Sequence, residues 1–207
     1  LVDEDYFSSA GSGSTSASID STMVADMIQS ALSNSVSIGV GDYYAGGIVA
    51  YIFQPDDEEY VEGEVHGYVM HLSDYYGVWG CMGEETGINS GTGLESTQLL
   101  AELCPSTSET NGGSCDESIS VAKYWNDLTS NGFNDWFMPS QYEASRISQN
   151  FPNYGYWITE EAIDNECGDY CVAEDVARFW CNCNSALPNI DWRQKNTCAK
   201  SIGIRIF

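Results

Sequence analysis

The feature that most constrains the fold of this 207-residue chain is the stretch 131–143, which reads Asn-Gly-Phe-Asn-Asp-Trp-Phe-Met-Pro-Ser-Gln-Tyr-Glu. Just before it, apolar residues recur at helical spacing over 118–130, and Gly132 can adopt the left-handed conformation that commonly ends a helix. The apolar run 136–138 has the length of a strand. Pro139 can occupy the first position of a further helix, because that position needs no N–H partner. The stretch therefore predicts a helix, a glycine stop, a buried strand and a second helix.

The rest of the chain predicts an α+β fold. Residues 47–53 are rich in β-branched and aromatic side chains and indicate a strand, with 66–72 as its antiparallel partner. Further strands are expected at 154–159, 176–181 and 201–207, the last of which places the C-terminus in the sheet. We expect a twisted, mostly antiparallel sheet, long loops pinned by disulfides, and flanking helices. The helices are predicted near 96–104, 118–130 and 139–149. The core aromatics are predicted to be Trp136, Tyr156 and Trp157.

The charge of the chain excludes whole classes of partner. Seven Lys and Arg against 31 Asp and Glu give a net charge of −24, which repels nucleic acid and anionic membranes. No apolar run approaches the roughly 20 residues of a membrane span. We therefore expect neither nucleic-acid binding nor membrane insertion. The few basic residues also leave no basic groove for a sulfated polysaccharide.

The chain has eight cysteines, an even number at crowded spacing. They are Cys81, Cys104, Cys115, Cys167, Cys171, Cys181, Cys183 and Cys198. Four disulfides formed in an oxidising compartment are the favoured interpretation, which predicts an extracellular or cell-surface location. A zinc site is the alternative, although the spacings fit zinc ribbons poorly and no histidine is near. Eight cysteines leave 105 pairings open, and a bond from Cys104 to Cys115 is the simplest local prediction.

The first 35 residues differ in composition from the remainder, and we interpret 1–35 as an N-terminal extension and 36–207 as the globular domain. Residues 8–19 are mostly Ser, Gly, Ala and Thr, the composition of a flexible linker. An apolar stripe at helical spacing follows, which predicts an amphipathic helix that needs a surface to cover. The stripe consists of Met23, Val24, Met27, Ile28 and Leu32. That surface can belong to the same chain or to a neighbouring copy, and we expect a homo-oligomer or filament.

Two acidic segments raise the question of metal binding. Residues 54–64 carry six carboxylates, and 160–175 carry seven more. Calcium prefers such oxygen ligands, but the fixed ligand spacing of known calcium loops is missing. Solvated acidic loops are the favoured interpretation. We expect no cofactor, with calcium left open.

A set of short motifs in fixed order resembles a known family. The motifs are Gly46-Gly-Ile-Val-Ala-Tyr, His66-Gly, Trp79-Gly, Gly91-Thr-Gly, Gly132-Phe-Asn-Asp-Trp-Phe-Met-Pro-Ser-x-x-Glu143, Tyr156-Trp-Ile-Thr-x-Glu161 and Ile204-Arg-Ile-Phe207. Over residues 40–207 the chain resembles the Lcl C-terminal-like domain family of bacterial extracellular domains. The resemblance implies a fold similar to C-type lectins and formylglycine-generating enzymes. It also implies surface attachment or glycan contact, and it carries over no catalytic residue.

These observations predict a secreted or cell-surface structural or adhesive subunit that self-assembles through its N-terminal segment into an extracellular fibre or appendage. The alternative is a glycan-binding, lectin-like module, with calcium dependence left open. Its candidate contact residues are Tyr43, Tyr44, Tyr75 and Tyr76. We do not expect an enzyme, because a reactive cysteine pair needs basic neighbours that stabilise a thiolate, and these are scarce here.

Overall fold

The computed structural model of the protein describes residues 37–105, 119–152, 155–163, 172–181 and 190–207. The chain divides into two units, Leu1–Ser37 and Ile38–Phe207, and every helix and strand described here belongs to the second. The predicted stripe at 23–32 lies outside the described residues. Its role in assembly therefore remains a prediction.

The described part of the chain contains three helices and nine short strands. The helices are α1 (Gly93–Leu103), α2 (Val121–Asp127) and α3 (Gln141–Ser148). The strands are β1 (Tyr43–Tyr44), β2 (Gly47–Ile52), β3 (Gly67–Met70), β4 (Tyr75–Gly77), β5 (Tyr156–Glu161), β6 (Val176–Trp180), β7 (Ile190–Gln194), β8 (Ala199–Ser201) and β9 (Ile204–Ile206). No helix in the described ranges is long and apolar enough to cross a membrane.

The strands form three antiparallel sheets rather than one. Their orders are β1-β2-β3-β9, β4-β8 and β5-β6-β7. The predicted pairing of 47–53 with 66–72 is confirmed, with Val49 opposite Val69. The C-terminal strand β9 pairs with β3, as expected from its apolar alternation. The mixed α+β class is thus confirmed, whereas the expected single sheet is divided.

The central stretch differs from its prediction at Gly132. Helix α2 ends at Asp127, and Leu128 is already extended. Ser130 and Phe133 exchange backbone hydrogen bonds of 2.9 and 3.0 Å. Asn131 and Gly132 between them have φ values of +55° and +86°, which is the geometry of a two-residue hairpin turn. Gly132 therefore closes a tight turn and does not end the helix.

The predicted strand at 136–138 is also wrong, because this run joins the sheet only through a bridge between Phe137 and Ile204. The helix after Pro139 is confirmed. Ser140 is its N-cap, and the Glu143 side chain accepts the Ser140 N–H at 2.7 Å while the Ser140 hydroxyl accepts the Glu143 N–H. This reciprocal capping box satisfies two N–H groups that the helix itself leaves without partners.

Large aromatic side chains dominate the buried core. Trp136, Tyr156 and Trp157 are at most 1% exposed, so their assignment to the core is confirmed. Two fully buried indoles have hydrogen-bond acceptors for their N–H groups, as burial of an N–H favours. Trp79 donates to the Ile158 carbonyl at 2.9 Å, and Trp125 donates to the Ser201 hydroxyl at 2.9 Å. The first bond joins the segment after β4 to β5, and the second joins α2 to β8.

The disulfide pattern departs from the predicted one. Cys104, at the end of α1, is bonded to Cys81 and not to Cys115. Cys181 is disulfide-bonded as well. Cys198 is a free thiol, so the prediction that all eight cysteines form disulfides is wrong at that position. The remaining cysteines, Cys115, Cys167, Cys171 and Cys183, lie outside the described residues.

Candidate functional site

A concave site of about 500 Å³ opens where a loop, a helix start and two strands meet. We call it the Glu160 cleft. Its lining residues are Asn89, Ser90, Gly91, Gln141, Tyr142, Ser145, Glu160, Arg178 and Trp180. The loop before α1 provides the first three, the first turns of α3 provide the next three, and β5 and β6 provide the rest. Its volume falls in the range of roughly 300–1,000 Å³ that is typical of ligand pockets.

The loop side of the cleft is fixed by a buried carboxylate. Glu161 accepts hydrogen bonds from the Thr86 N–H and the Gly87 N–H, each at 2.9 Å. It also forms an ion pair with Lys195, and both side chains are almost fully buried. Lys195 donates in addition to the Glu84 carbonyl at 2.6 Å. The hydrogen bonds to Glu161 and its ion pair with Lys195 therefore fix the loop segment that precedes residues 89–91.

The helix side of the cleft is fixed by two further carboxylates at the N-terminus of α3. Glu160 accepts the Gln141 N–H at 2.7 Å. Glu143 accepts the Ser140 N–H and, at 3.2 Å, the Gly93 N–H at the start of α1. Negative charge at a helix N-terminus is stabilised by the exposed N–H groups and the helix dipole. Glu143 thus joins the starts of α1 and α3.

The floor of the cleft is formed by Glu160, Arg178 and Trp180, which are between 4% and 7% exposed. Burial raises the pKa of Glu160 above its ordinary value, and the hydrogen bond from Gln141 and the charge of Arg178 offset part of this rise. Arg178 donates to the Gln141 side-chain oxygen at 3.1 Å. The floor thus offers a carboxylate, a guanidinium group and an indole side by side.

Tyr142 lies at the rim of the cleft, and hydrogen bonds of its hydroxyl group to residues outside the cleft fix the position of its ring. Its hydroxyl donates to Asp57 at 3.1 Å and accepts from Arg146 at 3.3 Å. Asp57 also accepts from the Tyr51 hydroxyl at 2.8 Å and pairs with Arg146 at 2.7 Å. Burial alone would raise the pKa of Asp57, but the hydrogen bonds from Gln54, Tyr51 and Tyr142 and the charge of Arg146 outweigh it and lower that pKa.

The burial of Asp57 shows that the interpretation of 54–64 as a solvated loop is wrong for this residue. Its side chain is 1% exposed, so one of the six carboxylates anchors the loop to α3. A calcium site receives no support from the described ranges, in which no group of three or more His, Cys, Asp or Glu side chains is arranged to hold a metal ion. The question of calcium stays open for the acidic residues outside those ranges.

The four predicted glycan-contact tyrosines lie away from the Glu160 cleft. Tyr43 and Tyr44 form the edge strand β1 and are 60% and 43% exposed. Tyr75 and Tyr76 belong to β4 in the second sheet, where Tyr75 stacks on Tyr124 with ring centroids 3.7 Å apart. The structure thus places the two tyrosine pairs on different sheets and includes neither pair in the lining of the cleft.

Sequence reasoning missed the cleft residues. One signal was available: the Ser140–Glu143 capping box locates the start of α3, and residues just inside a helix start often face a ligand. Glu160 and Glu161 follow the apolar run of β5 and, as strand neighbours, point to opposite faces. Composition alone does not distinguish these two carboxylates from an acidic pair that is exposed to solvent.

The Glu160 cleft is suited to binding a polar ring. Asn89, Gln141, Glu160 and Arg178 provide planar hydrogen-bonding groups, and Tyr142 and Trp180 provide aromatic surfaces. Ser90 and Ser145 also line it, but neither has a histidine as general base. His66 bonds to Glu64 and the Phe207 carbonyl, and His71 bonds to Ser130.

A comparison of the chain with protein-family models found no match, and a comparison with curated proteins found none either.

Proposed function

We propose that residues 38–207 form a carbohydrate-binding module whose site is the Glu160 cleft. The observation that carries this proposal is the convergence of two aromatic side chains and four planar hydrogen-bonding side chains on one concave surface of about 500 Å³. A sugar ring offers hydroxyl groups along its edge and C–H bonds on its faces. The hydroxyls match amide, carboxylate and guanidinium groups, and the C–H faces match the electron-rich faces of aromatic rings.

The module is proposed as a binder and not as an enzyme. Its cleft contains polar groups that are already held by intramolecular bonds, as in the contact between Arg178 and Gln141. Such preorganised groups lose little conformational entropy when a ligand binds. The resemblance to the Lcl C-terminal-like domain family and its C-type-lectin-like fold supports the same proposal, as does the ring of Tyr142, which Asp57 and Arg146 fix at the rim.

A glycan array tests the proposal with a matched pair of tyrosine variants. Tyr142→Ala removes an aromatic ring from the rim of the cleft. Tyr76→Ala removes an equally large ring that is 56% exposed in β4. We expect the wild-type protein and Tyr76→Ala to bind the same glycans and Tyr142→Ala to lose binding at least tenfold. Binding that depends on Tyr76 instead would move the site to the predicted tyrosines, and a silent array at high protein concentration would reject carbohydrate binding.

We propose, as a second function, assembly through the N-terminal segment into an extracellular fibre or adhesive appendage. The observation that favours it lies where the chain enters the second unit. Val40, Tyr43 and Tyr44 are large apolar or aromatic side chains that are 43–60% exposed. Tyr43 and Tyr44 form β1, and Val40 lies just before it. Among the described strands, β1 is an edge strand paired only with β2. Exposed edges of this kind pair readily with another chain.

The apolar stripe of residues 23–32 from a neighbouring copy would cover this surface, and a head-to-tail contact would then close a ring or extend a filament. The disulfide between Cys81 and Cys104 supports the proposed extracellular location. Light scattering and negative-stain microscopy of the full chain and of a chain beginning at residue 35 test the assembly. We expect oligomers only with residues 1–34. Monomers in both samples, with and without calcium, would reject it.

A further inference from the structure

The carboxylate of Glu160 has its partners within the fold. One oxygen accepts the Gln141 N–H at 2.7 Å, and the other accepts the Thr159 hydroxyl at 3.4 Å. The charge of Arg178 in the same cleft also acts on Glu160 and offsets part of the rise in its pKa that burial causes. Recognition by the cleft therefore does not require a charged ligand group that would pair with Glu160.

The side-chain amide of Gln141 is held in one orientation. Arg178 donates to its oxygen at 3.1 Å, and a guanidinium group has donors only. The amide oxygen therefore faces Arg178, and the NH2 group points elsewhere. Gln141 is an exposed residue at the start of α3 and lines the cleft. Its bond with Arg178 is the single side-chain hydrogen bond of Gln141 within the described part of the chain, so its NH2 group remains as a donor for a ligand.

Other side-chain amides show where such a donor goes when the fold uses it. Asn131 donates to the Gly46 carbonyl at 2.8 Å, and Asn150 donates to the Ala50 carbonyl at 3.1 Å. Gln54 donates to the Ile52 carbonyl at 2.8 Å. Each of these NH2 groups has a carbonyl acceptor, whereas that of Gln141 has no such acceptor among the described residues.

The ligand group that matches this donor is an acceptor, either a carboxylate or a neutral carbonyl. A carboxylate would enter a cleft that already contains Glu160, in a chain of net charge −24, and would be repelled. A neutral carbonyl meets no such repulsion. An acetamido group combines a carbonyl with a methyl group, and the rings of Tyr142 and Trp180 provide apolar surface for the methyl in the same cleft.

We propose that the Glu160 cleft selects sugars that carry an acetamido group, the N-acetylhexosamines, and that the acetamido carbonyl accepts a hydrogen bond from the side-chain NH2 of Gln141. The inference rests on the proposed carbohydrate binding and adds the chemical class of the sugar. A hexose hydroxyl can accept from the same donor, so neutral hexoses should bind as well, but without the contact of the methyl group.

The test compares three probes that differ only at one ring substituent: the methyl glycosides of N-acetylglucosamine, glucosamine and glucose. Dissociation constants come from NMR titrations of the full chain at pH 7. We expect the N-acetylglucosaminide to bind about fivefold or more tightly than the other two, as one net hydrogen bond and one buried methyl group imply. Equal or weaker binding of the N-acetylglucosaminide would overturn the inference while leaving carbohydrate binding intact. Failure of all three probes to bind would overturn the inference, and a silent glycan array as well would overturn carbohydrate binding.

Two matched variants locate the preference in the cleft. Gln141→Glu keeps the length of the side chain and its acceptor for Arg178, but it replaces the NH2 group by a second oxygen. We expect this variant to bring the ratio of the dissociation constants of the N-acetylglucosaminide and the glucoside to about 1. Gln98→Glu makes the same change on the exposed face of α1, away from the cleft, and should keep the preference. An unchanged ratio in Gln141→Glu, or an equal loss in both variants, would show that Gln141 does not read the acetamido group. If Gln141→Glu does not fold, the comparison of the three probes on the wild-type protein decides the matter.

Discussion

The ionisation of Glu143 should make the protein less stable as the pH rises from about 4.5 to 7. Burial raises the pKa of Glu143 from 4.5 to about 7, although the N–H groups of Ser140 and Gly93 offset part of the rise. Below pH 4.5 the group is protonated in both the folded and the unfolded state. Between the two values the unfolded chain releases its proton first, so the free energy of unfolding falls as the pH rises and levels off above 7.

The size of this effect follows from the difference between the two pKa values. About 2.5 units (7 minus 4.5) at 1.36 kcal/mol each give a loss of about 3 kcal/mol. Burial also raises the pKa of Glu160, so the effect must be read as a difference between variants. Glu143→Gln cannot ionise and should therefore lack this part of the pH dependence. Glu95→Gln, on an exposed residue in the first turn of α1, is the control and should keep it.

Urea unfolding at pH 5, 6, 7 and 8 measures the effect for the three proteins. We expect the free energy of unfolding of the wild type, relative to that of Glu143→Gln, to fall by about 2.5 kcal/mol between pH 5 and pH 8, because part of the full loss already occurs below pH 5. If the two curves stay parallel over the whole range, their constant offset reports only the lost capping bond. That result would contradict the prediction, because it would mean that Glu143 titrates at its ordinary pKa in the folded protein.

Two further predictions concern close packing and covalent bonding. A Cβ at Gly67 would lie 2.0 Å from the Tyr51 carbonyl oxygen, whereas one at Gly39 would meet its nearest neighbour at 3.5 Å. Gly67→Ala should thus lower the free energy of unfolding by about 2 kcal/mol or more relative to Gly39→Ala in urea unfolding, and equal stabilities would contradict the packing. Replacing Cys81 and Cys104 by serine opens a loop with a sequence separation of 23 and should cost about 3 kcal/mol. An unchanged unfolding midpoint in calorimetry would show that this bond does not stabilise the fold.

Local sequence signals predicted the elements that depend on a few neighbouring residues. The start of α3 follows from Ser140 and Glu143, whose side chains and N–H groups satisfy each other within one turn. The pairing of β2 with β3 follows from two β-rich runs of similar length. The burial of Trp136 and Trp157 follows from the large apolar area that each can remove from water. In each case the interactions that determine the structure lie within a short segment or involve a single side chain.

Features that depend on distant residues were missed or misread. The prediction that Gly132 ends a helix is an exception, because Asn131-Gly132 is itself a local signal for a two-residue hairpin turn, which the hydrogen-bonded pair of Ser130 and Phe133 closes. Cys104 bonds to Cys81 because the fold brings the two chain segments to a Cα separation of 5.2 Å. The Glu160 cleft combines four segments that are separated by up to 91 positions in the sequence, from Asn89 to Trp180. No local pattern predicts such a meeting.

We propose the Glu160 cleft as the binding site for a carbohydrate. The most direct measurement is an NMR titration of isotope-labelled full-length protein with a glycan that binds on the array, followed residue by residue. We expect chemical-shift changes to concentrate on residues 89–91, 141–145 and 178–180, which surround the cleft. Changes centred instead on Tyr43, Tyr44, Tyr75 and Tyr76, with the cleft signals unmoved, would contradict it.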